Sequence, residues 1–368
     1  MGDTEVVAID VFDLDLALNE PFGIATGAQT ALENLLVRVT LRSGVHGLGE
    51  AAPFPAVNGE TRTMARAAMD DVRDALIGRD AGEWRLLSSM LRERVTTSPS
   101  ARCALETALL DAFARHHRVS LAHLFGGCQT ALESDLTITT GTIDHARDAA
   151  ARIARDGYRV IKLKVGGTSL ADDVSRVVAV IGAAPSCGLL LDANGAMASV
   201  DEALALVREA ERAGGRVVLF EQPMGKRDLD AMAEITAKSS IPIAADESAG
   251  SLDDVLAIAH RRAAHAVNLK ITKSGVVQAH DMALAARAHG LRLMIGGMVE
   301  SDVAMSMSAH LAAGLGGFEW VDLDTPLWLR DSPVRAGYVR RGPMLDLSAV
   351  TAGHGANVAD GVLAGMRS

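Results

Sequence analysis

Apolar and polar positions along this chain change rhythm partway through. Between residues 159 and 270 short apolar runs recur, each ending in a charged side chain: Val160-Ile161-Lys162-Leu163-Lys164, Leu189-Leu190-Leu191-Asp192, Val217-Val218-Leu219-Phe220-Glu221, Ile241-Pro242-Ile243-Ala244-Ala245-Asp246 and Ala266-Val267-Asn268-Leu269-Lys270. The stretches between them, such as Val200 to Ala213 and Leu252 to Arg262, carry apolar residues three and four apart, the helical period. Strand and helix therefore alternate, which predicts a parallel sheet. The repeat of roughly 25 to 30 residues suits one unit of a closed β/α barrel. Counting Leu136 to Thr139 first, and Leu291 to Ile295 and Phe318 to Leu323 last, gives eight strands with seven clear intervening helices.

Before residue 126 the order is different. Val6 to Leu18 and Leu35 to Leu41 alternate as strands, and Gly44-Val45-His46-Gly47 reads as a hairpin turn. Helical periods follow over Thr63 to Leu76, Trp84 to Val95 and Ala101 to His116, with Ser98 or Ser100 as cap. The predicted fold class is α/β: a TIM-like (β/α) barrel over 126–329, preceded by an α+β capping domain over 1–125. The Gly-rich segment 330–368 is expected to pack back on the capping domain.

Composition changes this picture only by exclusion. The chain has 368 residues, 49% of them hydrophobic, ample for a large core. A formal net charge of -10 speaks against a nucleic-acid partner, which needs a basic face. There is no apolar run of membrane-spanning length, and the acidic start Met1-Gly2-Asp3-Thr4-Glu5 does not read as a secretory signal, so a cytoplasmic location is expected. Cys103, Cys128 and Cys187 match no disulfide or zinc spacing and are expected to be small buried residues, and His116-His117 reads as a solvated helix end.

The charges at strand ends carry the chemistry. At the carboxyl edge of a parallel barrel several strands contribute one side chain each to one basin. Asp192, Glu221 and Asp246 would bring three anions together there, and a hard divalent cation, magnesium, would resolve their repulsion. The alternative for Asp192 or Asp246 taken singly is a helix cap. Lys162 and Lys164 lie two apart on one strand and so share a face. Crowding them beside a cation is expected to lower their pKa, as a base requires. Lys162 also fits an edge lysine paired with acids. Lys270 enters from the sixth strand, across the barrel, so that Lys164 and Lys270 suit removal of a proton from one face of a carbon and its return to the other.

The set Lys162-Leu163-Lys164, Asp192-Ala193-Asn194, Glu221-Gln222-Pro223, Asp246-Glu247-Ser248 and Lys270 resembles the enolase superfamily, muconate-lactonizing subgroup, along nearly the whole chain. That resemblance implies magnesium on Asp192, Glu221 and Asp246, an enediolate held by the metal and Lys162, and Lys164 and Lys270 as acid/bases. Val321-Asp322-Leu323-Asp324-Thr325-Pro326 resembles the Asp-x-Asp signature of dipeptide epimerases; two carboxylates on one face suit a peptide's free ammonium group, although Asp324 also suits a turn before Pro326. Thr137 matches a first-strand threonine that those enzymes place near the substrate.

What the resemblance implies is a magnesium-dependent isomerase that epimerises the α-carbon of a dipeptide's C-terminal residue. Epimerases acting on alanyl-glutamate carry a basic residue in the first-domain loop over the substrate. Here that loop, about 19–30, has no Lys or Arg before Arg38, so a neutral or cationic side chain is expected in place of glutamate. Gly23 and Gly27 suit a lid that moves. The alternatives are an N-acyl amino acid racemase, an o-succinylbenzoate synthase or a muconate cycloisomerase on the same scaffold, or a non-catalytic binding protein of the same fold. The expected partner is a small-molecule dipeptide, with no nucleic acid or membrane, and the expected state is a homo-oligomer.

Overall fold

The computed structural model describes residues 2–24, 27–167 and 169–366. Strands β1 (Val6–Ile24) and β2 (Gly27–Leu41) pair antiparallel, and β3 (His46–Ala51) lies beside β2. Side chains alternate across a sheet, and here both faces are used. Ile9, Val11, Leu35, Val37 and Val39 meet Ala65, Met69, Val72 and Leu76 of a helix, whereas Phe12, Leu14, Leu16, Leu18, Leu32 and Leu36 join a second cluster with Met298, Val299, Trp328 and Leu329. The helices are α1 (Pro55–Asn58), α2 (Arg62–Leu76), α3 (Trp84–Arg94), α4 (Pro99–His116) and α5 (Leu121–Leu124). Ser98 occupies the N-cap position of α4 without a side-chain cap bond, and Ser100 binds the buried Glu60 instead.

The segment expected to be a lid loop is not a loop. β1 runs on to Ile24 and β2 begins at Gly27, so a long two-stranded hairpin projects from the sheet, with a register shift between Ala17 and Phe22. Glu20-Pro21 breaks the apolar alternation where that shift falls, which hides the strand from a pattern reading. The two tip residues of the expected lid, Ala25 and Thr26, lie outside the described residues. The hairpin rests on the barrel: Arg330 N–H donates to Ala17 O at 2.8 Å, Thr140 N–H to Gly23 O at 3.3 Å, and a Cβ on Gly23 would stand 2.4 Å from Thr140 Oγ1. A larger residue there would force the Thr140 side chain to move.

After β4 (Ala131–Glu133), eight parallel strands follow in spatial order: β5 (Leu136–Ile138), β6 (Val160–Lys164), β7 (Gly188–Asp192), β8 (Arg216–Glu221), β9 (Ile243–Ala245), β10 (Ala266–Leu269), β11 (Arg292–Ile295) and β12 (Phe318–Val321). The sheet curls until Asp135 N–H donates to Val321 O at 2.8 Å and Leu323 N–H to Ser134 Oγ at 3.0 Å, joining its first strand to its last. Leu190, Leu219, Ala244, Ala266, Met294 and Trp320 form an apolar layer of their own inside the curl.

The connecting helices are α6 (Ile143–Arg155), α7 (Leu170–Ala183), α8 (Val200–Arg212), α9 (Leu229–Lys238), α10 (Leu252–Arg261), α11 (Ile271–Ser274), α12 (Val276–Ala288) and α13 (Asp302–Leu315). Thr142, Ser169, Ser199, Asp228, Ser251 and Ser301 each accept a backbone N–H at the start of α6, α7, α8, α9, α10 and α13. Each such cap is worth about 1 kcal/mol, and together they fix where strand-end loops stop and helices begin. The C-terminal segment adds small strands: Val334–Arg335 pairs with Asn357–Val358, and Met344–Asp346 with β4. Val334, Ala356, Val358 and Leu363 pack in the cluster that holds Phe12, Leu14 and Leu16 of the capping sheet. Among the described residues no helix is long and apolar enough to cross a membrane.

Within the largely apolar seam between capping sheet and barrel lies a buried polar cluster. Glu50 accepts from Asn34 Nδ2 (2.7 Å), Ser301 N (2.9 Å), Ser301 Oγ (2.6 Å) and Ala304 N (3.2 Å), so a capping-domain carboxylate sits on the N-terminus of a barrel helix. Beside it, Glu300 Oε2 has no hydrogen-bond partner. Burial, then the Glu50 charge, push Glu300 up to about 8. A carboxyl raised in the folded state contributes stability that is full below its ordinary value of 4.5 and is lost as pH rises through about 8. Glu300→Gln should therefore melt close to the wild type near about pH 5 and several degrees above it near about pH 9. A melting-temperature difference that does not vary with pH would refute the assignment.

Candidate active site

Strand register assembles the site. Lys164 pairs with Asp192, Asp192 with Glu221, and Glu221 with Ala244, so three strand ends stand level. Asp246 follows two residues after Ala244 and shares its face. Asp192 and Glu221 are fully buried, and Asp246, Lys162, Lys164 and Lys270 are nearly so. Lys162 Nζ lies 3.0 Å from Asp192 Oδ2, 2.8 Å from Glu221 Oε2 and 2.7 Å from Asp322 Oδ2. Lys164 Nζ lies 2.6 Å from Asp192 Oδ2, and Lys270 Nζ 2.7 Å from Asp246 Oδ2. The six predicted residues thus stand at one barrel mouth in two ion-paired groups, Lys162 and Lys164 with Asp192 and Glu221, and Lys270 with Asp246. Lys162 is no edge lysine; it is 1% exposed at the centre.

Neighbours hold these side chains in place. Asn268 Nδ2 donates to Glu221 Oε1 at 2.7 Å, Asn194 N–H to Asp192 Oδ1 at 3.0 Å, and Asn194 Nδ2 to Glu247 Oε1 at 3.0 Å. Gln222 Oε1 accepts from Asp246 N and Ser248 N, tying β8 to the segment after β9. Asn194 and Gln222 both have positive φ, 46° and 36°, backbone conformations that cost energy for residues other than glycine and recur at functional sites. The cap alternative is half realised at Asp192, whose Oδ1 takes Asn194 N–H. It is not realised at Asp246, since Ser251 caps the helix that follows.

Electrostatics follows from crowding. Burial raises Asp192, but Lys162 and Lys164 outweigh it and bring its pKa to about 2. Glu221 rises to about 8 through burial and then Asp192. Asp246 is lowered, because Lys270 and Lys273 overcome its burial. Set among carboxylates, Lys162 and Lys270 both lie above the ordinary lysine value. Burial does lower them, but the carboxylates touching each ammonium win: Asp192, Asp322 and Glu221 for Lys162, and Asp246 first for Lys270. Spacing along the chain reveals a lysine's strand face but not how many carboxylates surround its tip.

Asp322 and Asp324 come from the loop after β12. Asp324 Oδ2 accepts Thr137 N–H at 2.7 Å, so Thr137 and Asp324 meet through the threonine backbone. Asp324 makes no side-chain cap to the turn at Pro326. Burial, then Asp322, raise Asp324 to about 6. Among the described residues the acidic group tight enough to enclose an ion is Asp135, Asp322 and Asp324, with ligand atoms within 4.8 Å of one another. Asp192, Glu221 and Asp246 do not meet that spacing, because lysine ammonium groups are wedged among them.

Several residues of the basin were missed from sequence. Asn268 lies two before Lys270, and Asp135 two before Thr137, so period-two alternation would have found both. Lys273 donates to Asp246 Oδ1 at 2.7 Å from the first turn after β10, and Glu247 follows Asp246 directly. The cavity above the network is lined by Thr137, Lys162, Lys164, Asp246, Lys270 and Asp322 on its polar side. Phe22, Phe54, Met298 and Val299 line the other side, with Phe22 edge-on to Trp328 at 5.2 Å between ring centroids. Of the cysteines, Cys103 and Cys187 are buried as expected, but Cys128 is exposed, its thiol donating to Leu315 O. His116 ends α4 and stacks edge-on against exposed His117.

The two halves of the chain match known domain families. Residues 7–126 match the mandelate racemase/muconate lactonizing enzyme N-terminal domain, and residues 144–362 match the enolase C-terminal domain-like family. An aromatic dipeptide epimerase of Herpetosiphon aurantiacus is 46% identical over 356 residues, covering 97% of this chain and 99% of that one. The crystal structure of a mandelate racemase/muconate lactonizing protein from the same organism superposes with a TM-score of 0.94 at 45% identity, covering 98% of this chain and 100% of that one. A dipeptide epimerase from Cytophaga hutchinsonii, complexed with Mg and the dipeptide D-Ala-L-Val, superposes with a TM-score of 0.93 at 28% identity, covering 99% and 98%. The chain belongs to the mandelate racemase/muconate lactonizing enzyme family of the enolase superfamily.

Proposed function

We propose that this protein is a magnesium-dependent dipeptide epimerase that moves the α-proton of the C-terminal residue between two lysines. The observation that carries the reading is the placement of Lys164 and Lys270 on strands four apart in an eight-stranded barrel, on either side of Asp192, Glu221 and Asp246, with Asp322 and Asp324 beside them. Residues 1–125 act as the cap, 126–329 as the catalytic barrel and 330–368 as the segment that braces the cap.

The residues fit a divalent cation. Glu221 Oε2 is buried with no hydrogen-bond partner, the Lys162 ammonium lying near it off the hydrogen-bonding direction, and three all-oxygen side chains suit magnesium. Asp192, Glu221 and Asp246 would hold the ion, which supplies positive charge against a substrate carboxylate as its α-carbon loses a proton. Lys164 takes or returns the α-proton on one face, and Lys270 does so on the other. Lys162 donates to the substrate's carboxylate as enediolate charge develops there. Asp322 and Asp324 bind the free amino terminus.

The apolar wall defines the side chain. Phe22 from the hairpin, Phe54, Met298 and Val299 offer no charge, so a glutamate brought there would lose its water with nothing in return. The C-terminal residue of the substrate is therefore apolar or aromatic, which narrows the neutral-or-cationic expectation. The relative from Herpetosiphon, named an aromatic dipeptide epimerase, supports this. In heavy water with magnesium and a dipeptide library, mass spectrometry should show one deuteron gained by members ending in Phe, Tyr, Leu or Met, and little by those ending in Glu or Asp. Exchange confined to N-acyl amino acids would instead favour a racemase on the same scaffold.

A further inference from the structure

The ladder between β5 and β6 stops one residue short of Lys164. Leu136, Thr137 and Ile138 pair with Ile161, Lys162 and Leu163, so Lys162 lies inside the ladder and Lys164 just beyond it. On its other side Lys164 pairs with Asp192 of β7, and Val165 N–H donates to Asp192 O at 2.8 Å. Past the end of β5, Thr140 N–H donates to Gly23 O of the hairpin. The gap left between the two strand ends is filled from outside the barrel, by Arg176 of α7. Its Nη1 donates to Lys164 O and its Nη2 to Thr139 O, each at 2.8 Å. Asp173, one turn earlier, completes the grip: its Oδ2 accepts Gly166 N–H at 2.8 Å, and its Oδ1 stands 3.7 Å from Arg176 Nη1.

Arg176 is 3% exposed, and its Nε has no hydrogen-bond partner. Burying a guanidinium is costly unless its charge and donors are met, so this arrangement serves the two carbonyls better than it serves the arginine. A guanidinium fork spans two acceptors in fixed geometry, whereas an ammonium is a point donor. The opposite lysine is secured by other means: Lys273 Nζ donates to Asp246 O at 2.6 Å, Asp246 Oδ1 at 2.7 Å and Asn268 O at 3.1 Å, beside Lys270. We propose that Arg176 is a positioning residue for Lys164 alone, holding the last peptide of β6 so that this ammonium meets its own face of the α-carbon. The approach of Lys270 does not depend on it. This rests on the two-lysine reading above.

The test is α-proton exchange in heavy water by magnesium-saturated protein on L-Ala-L-Phe and L-Ala-D-Phe, following deuterium gained with retention and with inversion. Wild type, Lys164→Ala, Lys270→Ala, Arg176→Met and Arg176→Lys are compared. The epimer that Lys164→Ala fails to label with retention is the one Lys164 serves. In Arg176→Met, retention labelling of that epimer, and inversion with it, should fall about 100-fold in kcat, the size of effect expected when a reacting group is displaced by an ångström. Labelling of the other epimer should stay within about 3-fold of the wild type, with KM little changed for either, since no contact to the substrate is removed. Arg176→Lys, which can reach one carbonyl, should lose less, and it serves should the methionine variant not fold. Equal losses on both epimers, or a lowered melting temperature with exchange intact, would make Arg176 merely structural and overturn the inference. Lysine variants that fail to choose opposite epimers would overturn the two-lysine reading, and this inference with it; opposite choices alongside uniform Arg176 losses overturn the inference alone.

Discussion

Lys164→Ala and Lys270→Ala should each stop epimerisation while leaving half of the exchange chemistry alive. If the two ammonium groups serve opposite faces of one α-carbon, removing either leaves a lysine that can still take the proton from the epimer presented to it, exchange it with solvent and return it to the same face. Each variant should therefore lose about 10⁴-fold or more in interconversion, near the upper end for loss of a general acid/base. Each should wash deuterium into one epimer only, and the two variants should choose opposite epimers. Circular dichroism should be unchanged, because Lys273 still neutralises Asp246 when Lys270 is absent, and Lys162 still contacts Asp192 when Lys164 is absent. Interconversion at the wild-type rate in either variant would end the two-base scheme, and exchange of both epimers by one variant would show a single base acting on both faces.

Withdrawing magnesium should have an effect of similar size. Without the ion, Lys162, Lys164, Lys270 and Lys273 alone balance Asp192, Glu221 and Asp246, and the charge that builds on the substrate carboxylate is left to Lys162. Chelation should reduce exchange by about 10³-fold or more, reversibly. A second readout avoids activity altogether: magnesium should raise the melting temperature of the wild type, because ligand that binds only the folded state stabilises it. Glu221→Gln, which removes one carboxylate and keeps its shape, should lose that rise. A melting temperature indifferent to magnesium in the wild type would count against Asp192, Glu221 and Asp246 as ligands.

How much of this was legible beforehand depended on whether a residue's role is local. Asp192, Glu221 and Lys164 were readable because a buried parallel strand is a continuous apolar run, and a charge closing it can only face the barrel mouth. The strand register that levels them follows from the fold class. Asn268 and Asp135 were missed although they obey the same alternation: one stands inside a run, the other ahead of a strand only three residues long. The hairpin that carries Phe22 was read as a loop because its pairing is maintained by contacts with Leu329 and Thr140, far away in sequence. The raised pKa values of Lys162 and Lys270 were beyond a linear reading altogether, since they arise from carboxylates delivered by other strands. Asp324 reads as turn or site from spacing alone; its carboxylate takes Thr137 N–H and makes no cap to the turn at Pro326.

The two aromatic residues of the apolar wall and the charged network come from different stretches of chain. Phe22 and Phe54 belong to the first sixty residues, while every lysine and carboxylate of the network lies beyond residue 134. A change in the codon for Phe22 or Phe54 can alter which side chain is admitted without disturbing the proton-transfer groups. One end of the reading frame can thus retune which peptide is accepted while the other end keeps the groups that move the proton.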